Sequence, residues 1–368
     1  MADTIRVLHV LGSMNIGGQE TFIMNIYRSI DRSKVQFDFL LNYPSKCDYE
    51  DEIISMGGIV CRIPRRFPNY MKHLKYLDNF LKNNNYDIVH QHTNSNLAVS
   101  TIIKAKKYKI SKIIYHSHSS KPDKGIINTI FDILYKSRIK KYATHYFACS
   151  VSAADNLFGK YIEKPNIKVI KNAIDTEKFI YNLNSREQKR KELKIENKFV
   201  IGHIGRFTEA KNHSFIINVF KEIYKKNHSA ALLLVGDGEL RGDVEKKVYE
   251  LGLKDNVIFT GLRSDIPELL CAMDVFLFPS LWEGLPVTLV EAQANGLYCV
   301  VSDVITKEVK ITDMIEYISF NKPILYWADK VLVNINGYER KNMGENIKKS
   351  GFDVQNTTLW LLKFYCME

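Results

Sequence analysis

The chain has 368 residues, long for one hydrophobic core and comfortable for two domains. Its 45% apolar content is that of a globular protein, and no apolar run reaches the roughly 18–20 residues that a membrane helix needs, which argues against a disordered or a membrane-spanning chain. The formal charge of +11 sits entirely in residues 1–180, with 27 Lys and Arg against 16 Asp and Glu, whereas residues 181–368 hold 25 of each. A basic half suits an anionic membrane or a phosphate-bearing partner, and equally a plain solvated surface. No nucleic-acid recognition motif accompanies it, so nucleic acid is not expected as a partner. Cys47, Cys61, Cys149, Cys271, Cys299 and Cys366 show no paired spacing, and MADTIRVLHV runs directly into a strand. Free thiols and a cytoplasmic location are expected.

The first strand, IRVLHVLGS, is nearly continuously apolar, as in a buried parallel sheet. Gly17 and Gly18 precede a helix starting near Gln19. Such a turn brings backbone close to a phosphate and offers it helix N–H groups, although a tight turn alone also accounts for two glycines. Gln36–Asn42 and Ile59–Pro64 read as strands around an acidic helix. The helix of Arg65 to Lys82 places Tyr70, Leu74, Leu77 and Leu81 on a packing stripe, with Lys72, Lys75 and Lys82 off it. Asp87–Asn96 and Lys112–Ser120 are strands that each end in His-x-His. Alternation puts His90 and His92 on one face, and likewise His116 and His118. Zinc is conceivable there, but no Cys or carboxylate stands at ligand spacing and no metal site is expected. A basic-faced helix over Ile126–Tyr142, the strand HYFACS, a helix capped by Ser150 or Ser152, and IKVIKNAIDTEKF complete the half. The charged run NLNSREQKRKELKIENK reads as the linker.

The strand–turn–helix pattern then restarts. FVIGHIGRFTEAKNHSF carries Gly205, Arg206 and Lys211 at one strand–helix junction, where a planar fork and a point charge suit a diphosphate. LLLVGDGELRGDVEKKV repeats the unit with Gly236 and Gly238, and VIFTGLRSDIPELLCAMDVFLFPS adds the Gly261-x-Arg263 turn. PSLWEGLPVTLVEAQANG follows, with Glu283 in a loop, Pro286 at a helix start and Glu291 eight residues after Glu283. Eight residues is a little over two helical turns, so both carboxylates can reach the crevice at the carboxyl end of the sheet, where ligands of such folds bind. EYISF is a short strand and KPILYWADKVLVNI a helix. In the final segment Leu359, Leu362 and Phe364 make an apolar face.

The stretch from Glu283 to Glu291 resembles the E-x7-E motif of the retaining, nucleotide-sugar-dependent glycosyltransferases of family 4, and the similarity runs over nearly the whole chain. Gly17–Gly18 is similar to the family's GG loop, and Gly205–Arg206 with Lys211 to its G-R-x-x-x-x-K pattern. IKVIKNAIDTEKF resembles the segment closing its first domain, with Ala173 in place of the usual Gly. The resemblance implies an α/β chain of the GT-B fold, two Rossmann-like parallel-sheet domains facing a central cleft. Residues 1–180 would form the acceptor side and 181–353 the nucleotide-sugar side, with a last helix, about 354–368, returning to the first domain.

Glu283 would lie beside the donor sugar and Glu291 on the ribose, Arg206 and Lys211 on the diphosphate, and Gly205, Gly236 and Gly238 close to the nucleotide. The Arg263 turn would adjoin the base, while Gly284 and Leu285 add donor contacts. His116, or alternatively His118, would reach the sugar, with His92 a further candidate for substrate contact. Catalysis would then rest on Glu283, His116, Arg206 and Lys211. The implied reaction is retaining transfer from a nucleoside diphosphate sugar, a UDP-sugar, to a saccharide or undecaprenyl-diphosphate-linked acceptor in capsule or exopolysaccharide biosynthesis. It would need no metal or cofactor and would run at the inner face of the cell membrane. A UDP-N-acetylglucosamine 2-epimerase and a non-catalytic nucleotide-sugar-binding protein share the fold and are the alternatives. Oligomeric state is left open.

Overall fold

The computed structural model describes residues 4–66, 68–93, 98–118 and 136–367. Two units emerge, Met1–Ala173 with Val354–Glu368, and Ile174–Asp353. The division falls at residue 173 rather than the expected 180. Ile174 is already bridged to Asp353, and the Thr176 hydroxyl donates to the Asp353 carboxylate at 3.3 Å.

The first unit is a seven-stranded parallel sheet in the order β3-β2-β1-β4-β5-β6-β7. Its strands are β1 (Ile5–Leu11), β2 (Val35–Leu41), β3 (Val60–Arg62), β4 (Ile88–Thr93), β5 (Lys112–Ser117), β6 (His145–Ala148) and β7 (Ile167–Val169). Strand alternation sends Val7 and Leu11 of β1 into one core, and Leu8 and Val10 into the core on the other face. Both faces are covered, which is why the strands read as apolar runs. The helix Gly18–Ser29 packs against the helix Val354–Cys366 on the first face.

The second unit has six parallel strands in the order β10-β9-β8-β11-β12-β13. They are β8 (Phe199–Ile204), β9 (Ala230–Val235), β10 (Val257–Phe259), β11 (Val275–Phe278), β12 (Tyr298–Ser302) and β13 (Ile315–Ile318). Strand order reverses between β1 and β4 in one sheet and between β8 and β11 in the other. The loops leaving the carboxyl ends of these strand pairs diverge and open a crevice.

The expected linker is a helix, Leu183–Leu193, capped by the Asn182 side chain, which accepts from Ser185 N. It has almost no apolar stripe, and ions hold it instead. Arg186 and Arg190 donate to the two oxygens of Asp274 at 2.5 and 2.6 Å. Two apolar faces also differ from expectation. In the helix Tyr70–Asn83 the buried stripe is His73, Leu77 and Leu81, with Tyr70 exposed, because the His73 ring nitrogen pairs with the Pro64 carbonyl at 2.8 Å. In the last helix the buried side is Val354, Thr358, Leu361 and Tyr365, whereas Leu359 is exposed. Ser150, rather than Ser152, caps its helix by accepting from Ala153 N. Of the expected helix Ile126–Tyr142, residues 136–142 are helical and the remainder lies outside the described residues. All six cysteines are free, four of them buried. Among the described residues no helix is long and apolar enough to cross a membrane.

Candidate active site

The second unit gathers its candidate residues at the strand reversal. β8 ends at Ile204, and Gly205 and Arg206 follow it, then a short 3-10 turn, Glu209–Lys211. Asn212 adopts φ +55°, a left-handed residue that redirects the chain into the helix His213–Lys226, and its side chain donates to the Pro279 carbonyl at 3.3 Å. Gly205 leaves room for the stem of Lys211, whose carbons would lie 3.1 Å from a Cβ placed there. Gly236 has φ +134°, and a Cβ on it would meet the Gly205 carbonyl oxygen at 2.2 Å. A Cβ on Gly238 would stand 2.6 Å from the Phe207 carbonyl oxygen. Two successive strand-end turns are therefore pressed backbone to backbone, which only glycine permits.

On the other side of the reversal, β11 runs into the loop that carries Glu283. Leu281 N donates to the Ala210 carbonyl at 2.8 Å and fastens this loop to the Lys211 turn. Lys211 Nζ donates to Glu283 Oε1 at 2.6 Å and lies 4.6 Å from the centre of the Phe278 ring. Both charged side chains are largely buried, at 17% and 15% exposure. Arg206 stands out into solvent at 75% exposure, 3.7 Å from the Glu239 carboxylate. Glu291, on the helix Val287–Ala294, is half-buried, and burial pushes its carboxyl up to about 7. No donor or cation to that carboxylate is found among the described residues. A fixed ion pair, an exposed guanidinium and a half-buried carboxylate thus follow the strands of this sheet.

The first unit presents the GG loop and the histidines at its own reversal, between β1 and β4. Gly17 is extended, with φ −165°, so these glycines supply room rather than a left-handed bend. Glu20 folds back over that room, since its Oε2 would be 2.5 Å from a Cβ at Gly17. Burial raises the Glu20 carboxyl to about 7. Behind the loop lie five imidazoles on one face of the sheet. His9 Nδ1 pairs with His92 Nε2 at 2.8 Å, and His92 Nδ1 with His118 Nε2 at 2.9 Å. The Tyr365 hydroxyl pairs with His90 Nδ1 at 2.9 Å, and His90 Nε2 with His116 Nδ1 at 3.1 Å. Burial holds His90, His92 and His116 well below the usual imidazole range, and His9 and His118 at about 3. The array is neutral at physiological pH.

Two family models cover this chain, Glycosyltransferase Family 4 over residues 16–178 and Glycosyl transferases group 1 over residues 184–349. EpsF of Bacillus subtilis (strain 168), whose name classes it as a glycosyltransferase, is 34% identical over 98% of this chain and 96% of its own. The chain belongs to the family 4 glycosyltransferases. The capsular polysaccharide biosynthesis glycosyltransferase CapH of Staphylococcus aureus is 27% identical over 98% of each chain. Among solved structures, Anabaena HepE in complex with UDP-glucose matches with a TM-score of 0.79 at 18% identity, covering 98% of this chain and 99% of that one. WaaG, a glycosyltransferase of lipopolysaccharide biosynthesis, matches with a TM-score of 0.72 at 17% identity over 98% and 100% of the chains. The fold of this glycosyltransferase is accordingly GT-B.

Within each half of the glycosyltransferase, several expected residues gather and others do not. Glu283, Lys211, Gly205, Gly236 and Gly238 meet around the β8–β11 reversal. Arg263 is elsewhere engaged: its guanidinium donates to Asp265 at 2.7 and 2.5 Å and to Glu192 at 3.0 Å, which also braces the helix Leu183–Leu193. The Leu285 side chain belongs to the core with Leu289 and Val290, so only the backbone of Gly284 and Leu285 remains for a ligand. His116 is fully buried, whereas His118 is half-buried at the end of β5. Two residues escaped sequence reasoning. Glu20 stands two residues after the GG pair, a position that could have marked it as a carboxylate in a phosphate-binding turn. His9 gives no local signal and enters only because β1 pairs with β4 in the register His9 to His90.

Proposed function

We propose that this glycosyltransferase moves a sugar from a UDP-sugar to a saccharide or lipid-diphosphate-linked acceptor, with retention and without a metal. The observation that carries the reading is the Lys211–Glu283 pair at the strand reversal, with the Arg206 guanidinium exposed to solvent. Arg206 and Lys211 neutralise the charge that develops on the departing diphosphate, the task a divalent ion performs elsewhere. Glu283, already oriented by Lys211, holds the sugar while the acceptor attacks from the face that the diphosphate leaves. Glu291 meets the ribose hydroxyls, and its raised proton affinity suits a carboxyl that must accept from neutral hydroxyl groups. His118, His116 and His92 serve the sugar side, and Gly17–Gly18 the diphosphate from the first unit.

A UDP-sugar donor is supported by the likeness to HepE, which binds UDP-glucose. The acceptor class is supported by an Escherichia coli relative, 32% identical over 64% of this chain and 62% of its own, named UDP-Gal:alpha-D-GlcNAc-diphosphoundecaprenol alpha-1,3-galactosyltransferase. The basic first unit fits a cytoplasmic protein held on an anionic membrane. Lys72 and Lys75 are exposed beside Tyr70, Met71 and Tyr76 on one helix, with Arg65, Arg66 and the Lys136–Lys141 cluster as further contacts. Each such cation contributes ~1 kcal/mol at an anionic surface.

Saturation-transfer NMR with a panel of UDP-sugars identifies the donor, and nucleotide release with a lipid-diphosphate-linked acceptor in EDTA tests transfer. The anomeric configuration of the product decides retention. Loss of release in EDTA, an inverted product, or an epimerised sugar nucleotide formed without acceptor refutes the corresponding part. Sedimentation with anionic vesicles at low salt, reversed at high salt, checks the membrane contact.

A further inference from the structure

The histidine array is larger and better ordered than contact with one sugar requires. His92, His116 and His118 can each offer a ring nitrogen such that all three lie within 4.8 Å of one another. His116 Nε2 and His118 Nδ1 are buried and have no hydrogen-bond partner among the described residues. No Lys, Arg, Asp or Glu is hydrogen-bonded to any of the three among the described residues.

The outer nitrogens of His116 and His92 already have the partners that ligation demands, whereas His118 Nδ1 has none among the described residues. If His116 binds through Nε2, its proton lies on Nδ1 and is accepted by His90 Nε2. The His90 proton then lies on Nδ1 and is accepted by the Tyr365 oxygen. If His92 binds through Nδ1, its proton lies on Nε2 and is accepted by His9 Nδ1. Both chains can carry these tautomers without losing a hydrogen bond, and orienting contacts of this kind accompany nearly all metal-binding histidines. The cation would replace the shared proton between His92 Nδ1 and His118 Nε2, now 2.9 Å apart. Zinc–nitrogen bonds of about 2.0–2.1 Å in a tetrahedron separate the nitrogens by roughly 3.3–3.4 Å, so modest ring rotations close the site. That proton moves along His118 to Nδ1, or along His92 to Nε2 while the His9 proton passes from Nδ1 to Nε2, and none is lost to solvent.

We propose that His92, His116 and His118 form a binding site for one divalent cation of the class that prefers imidazole, such as zinc or cobalt, with a fourth position open. His9, His90 and Tyr365 are its positioning residues. The site lies outside the metal-free transfer chemistry. If His116 and His118 face the donor sugar, a reading on which this consequence alone rests, an occupying cation inhibits transfer.

The test is titration of the full-length, EDTA-treated protein with zinc by calorimetry, and with cobalt by visible absorption. One ion per chain at micromolar concentration, with intense tetrahedral cobalt bands, is expected. His92→Gln and His116→Gln should each weaken binding at least tenfold, while His228→Gln, at an exposed histidine, leaves it unchanged. Absence of binding at micromolar zinc overturns the proposal, as does binding equal in wild type and both array variants. Should either variant fail to fold, shifts of the His92, His116 and His118 ring nitrogens in ¹⁵N spectra of the wild type on adding zinc decide the matter. Unchanged shifts overturn the site. Metal binding requires no sugar nucleotide, so its failure and the failure of the transfer reading are separately visible.

Discussion

Replacing Glu291 by Gln should stabilise the protein at pH 8 and weaken its hold on the donor. Burial pushes the folded-state carboxyl up to about 7 from its ordinary value of about 4.5, because it disfavours the charge and nothing among the described residues compensates. A carboxyl with a raised folded-state pKa binds its proton more tightly in the folded protein. Its contribution is present below the unfolded value and is lost as pH rises from about 4.5 through about 7. At about 1.4 kcal/mol per pKa unit, the full shift corresponds to about 3–4 kcal/mol, of which about 2–3 kcal/mol is lost between pH 5 and pH 8. Glu291 is only half-buried, so about 1–2 kcal/mol is the better expectation. Gln carries no charge to desolvate, so the variant gains relative to wild type as pH rises. For a unit of this size that is a difference in Tm of a few degrees at pH 8, and close to none at pH 4.5. Paired thermal melts of the two proteins at both pH values cancel the titration of every other group, Glu20 included. Donor titration should show KM raised with kcat nearly kept, because a ribose contact acts equally on ground and transition states. A variant no more stable at pH 8 than at pH 4.5, relative to wild type, refutes the buried-carboxyl argument. A fall in kcat with unchanged KM refutes the ribose assignment.

Arg206→Ala should lower turnover by on the order of 10²–10³ with no change in Tm, since this side chain is 75% exposed, and Arg206→Lys should rescue it only in part. Lys211→Met and Glu283→Gln should each lower both turnover and Tm, and the double variant should lose less stability than the sum, with a coupling of about 1–3 kcal/mol by urea denaturation; additivity within error rules out the pair as a unit. Gly236→Ala should cost about 3 kcal/mol or more, visible as insoluble or low-melting protein, because φ +134° and the Gly205 oxygen at 2.2 Å exclude a Cβ. Asp274→Asn should cost about 2–4 kcal/mol by loosening the helix Leu183–Leu193, and a helix that stays protected in hydrogen exchange would contradict its dependence on Arg186 and Arg190.

Much of the architecture was legible in the chain itself, for a local reason. Strands buried on both faces must be continuously apolar, and helices that cover them must be amphipathic, so IRVLHVLGS or VFLFPS declares its state within a few residues. The motif residues were equally plain, because glycine before a helix and carboxylates two turns apart are short-range patterns. The helix Leu183–Leu193 was not legible. Its stabilising partner, Asp274, lies 84 residues beyond Arg190, and without an apolar stripe the segment looks like a linker. Long-range pairing also decided what each motif residue can do. Lys211 and Glu283 are 72 residues apart and meet because the order of strands reverses between β8 and β11. His90 and Tyr365 are 275 apart and meet because the last helix returns to the first sheet. Arg263 looked free in the sequence and is bound by Asp265 and Glu192 in the fold. The chain by itself determined which elements form and which chemical groups stand at their ends. The tertiary structure alone decided which of those groups are desolvated, which are paired and which remain open to a ligand, because desolvation and pairing depend on neighbours that sequence distance does not reveal.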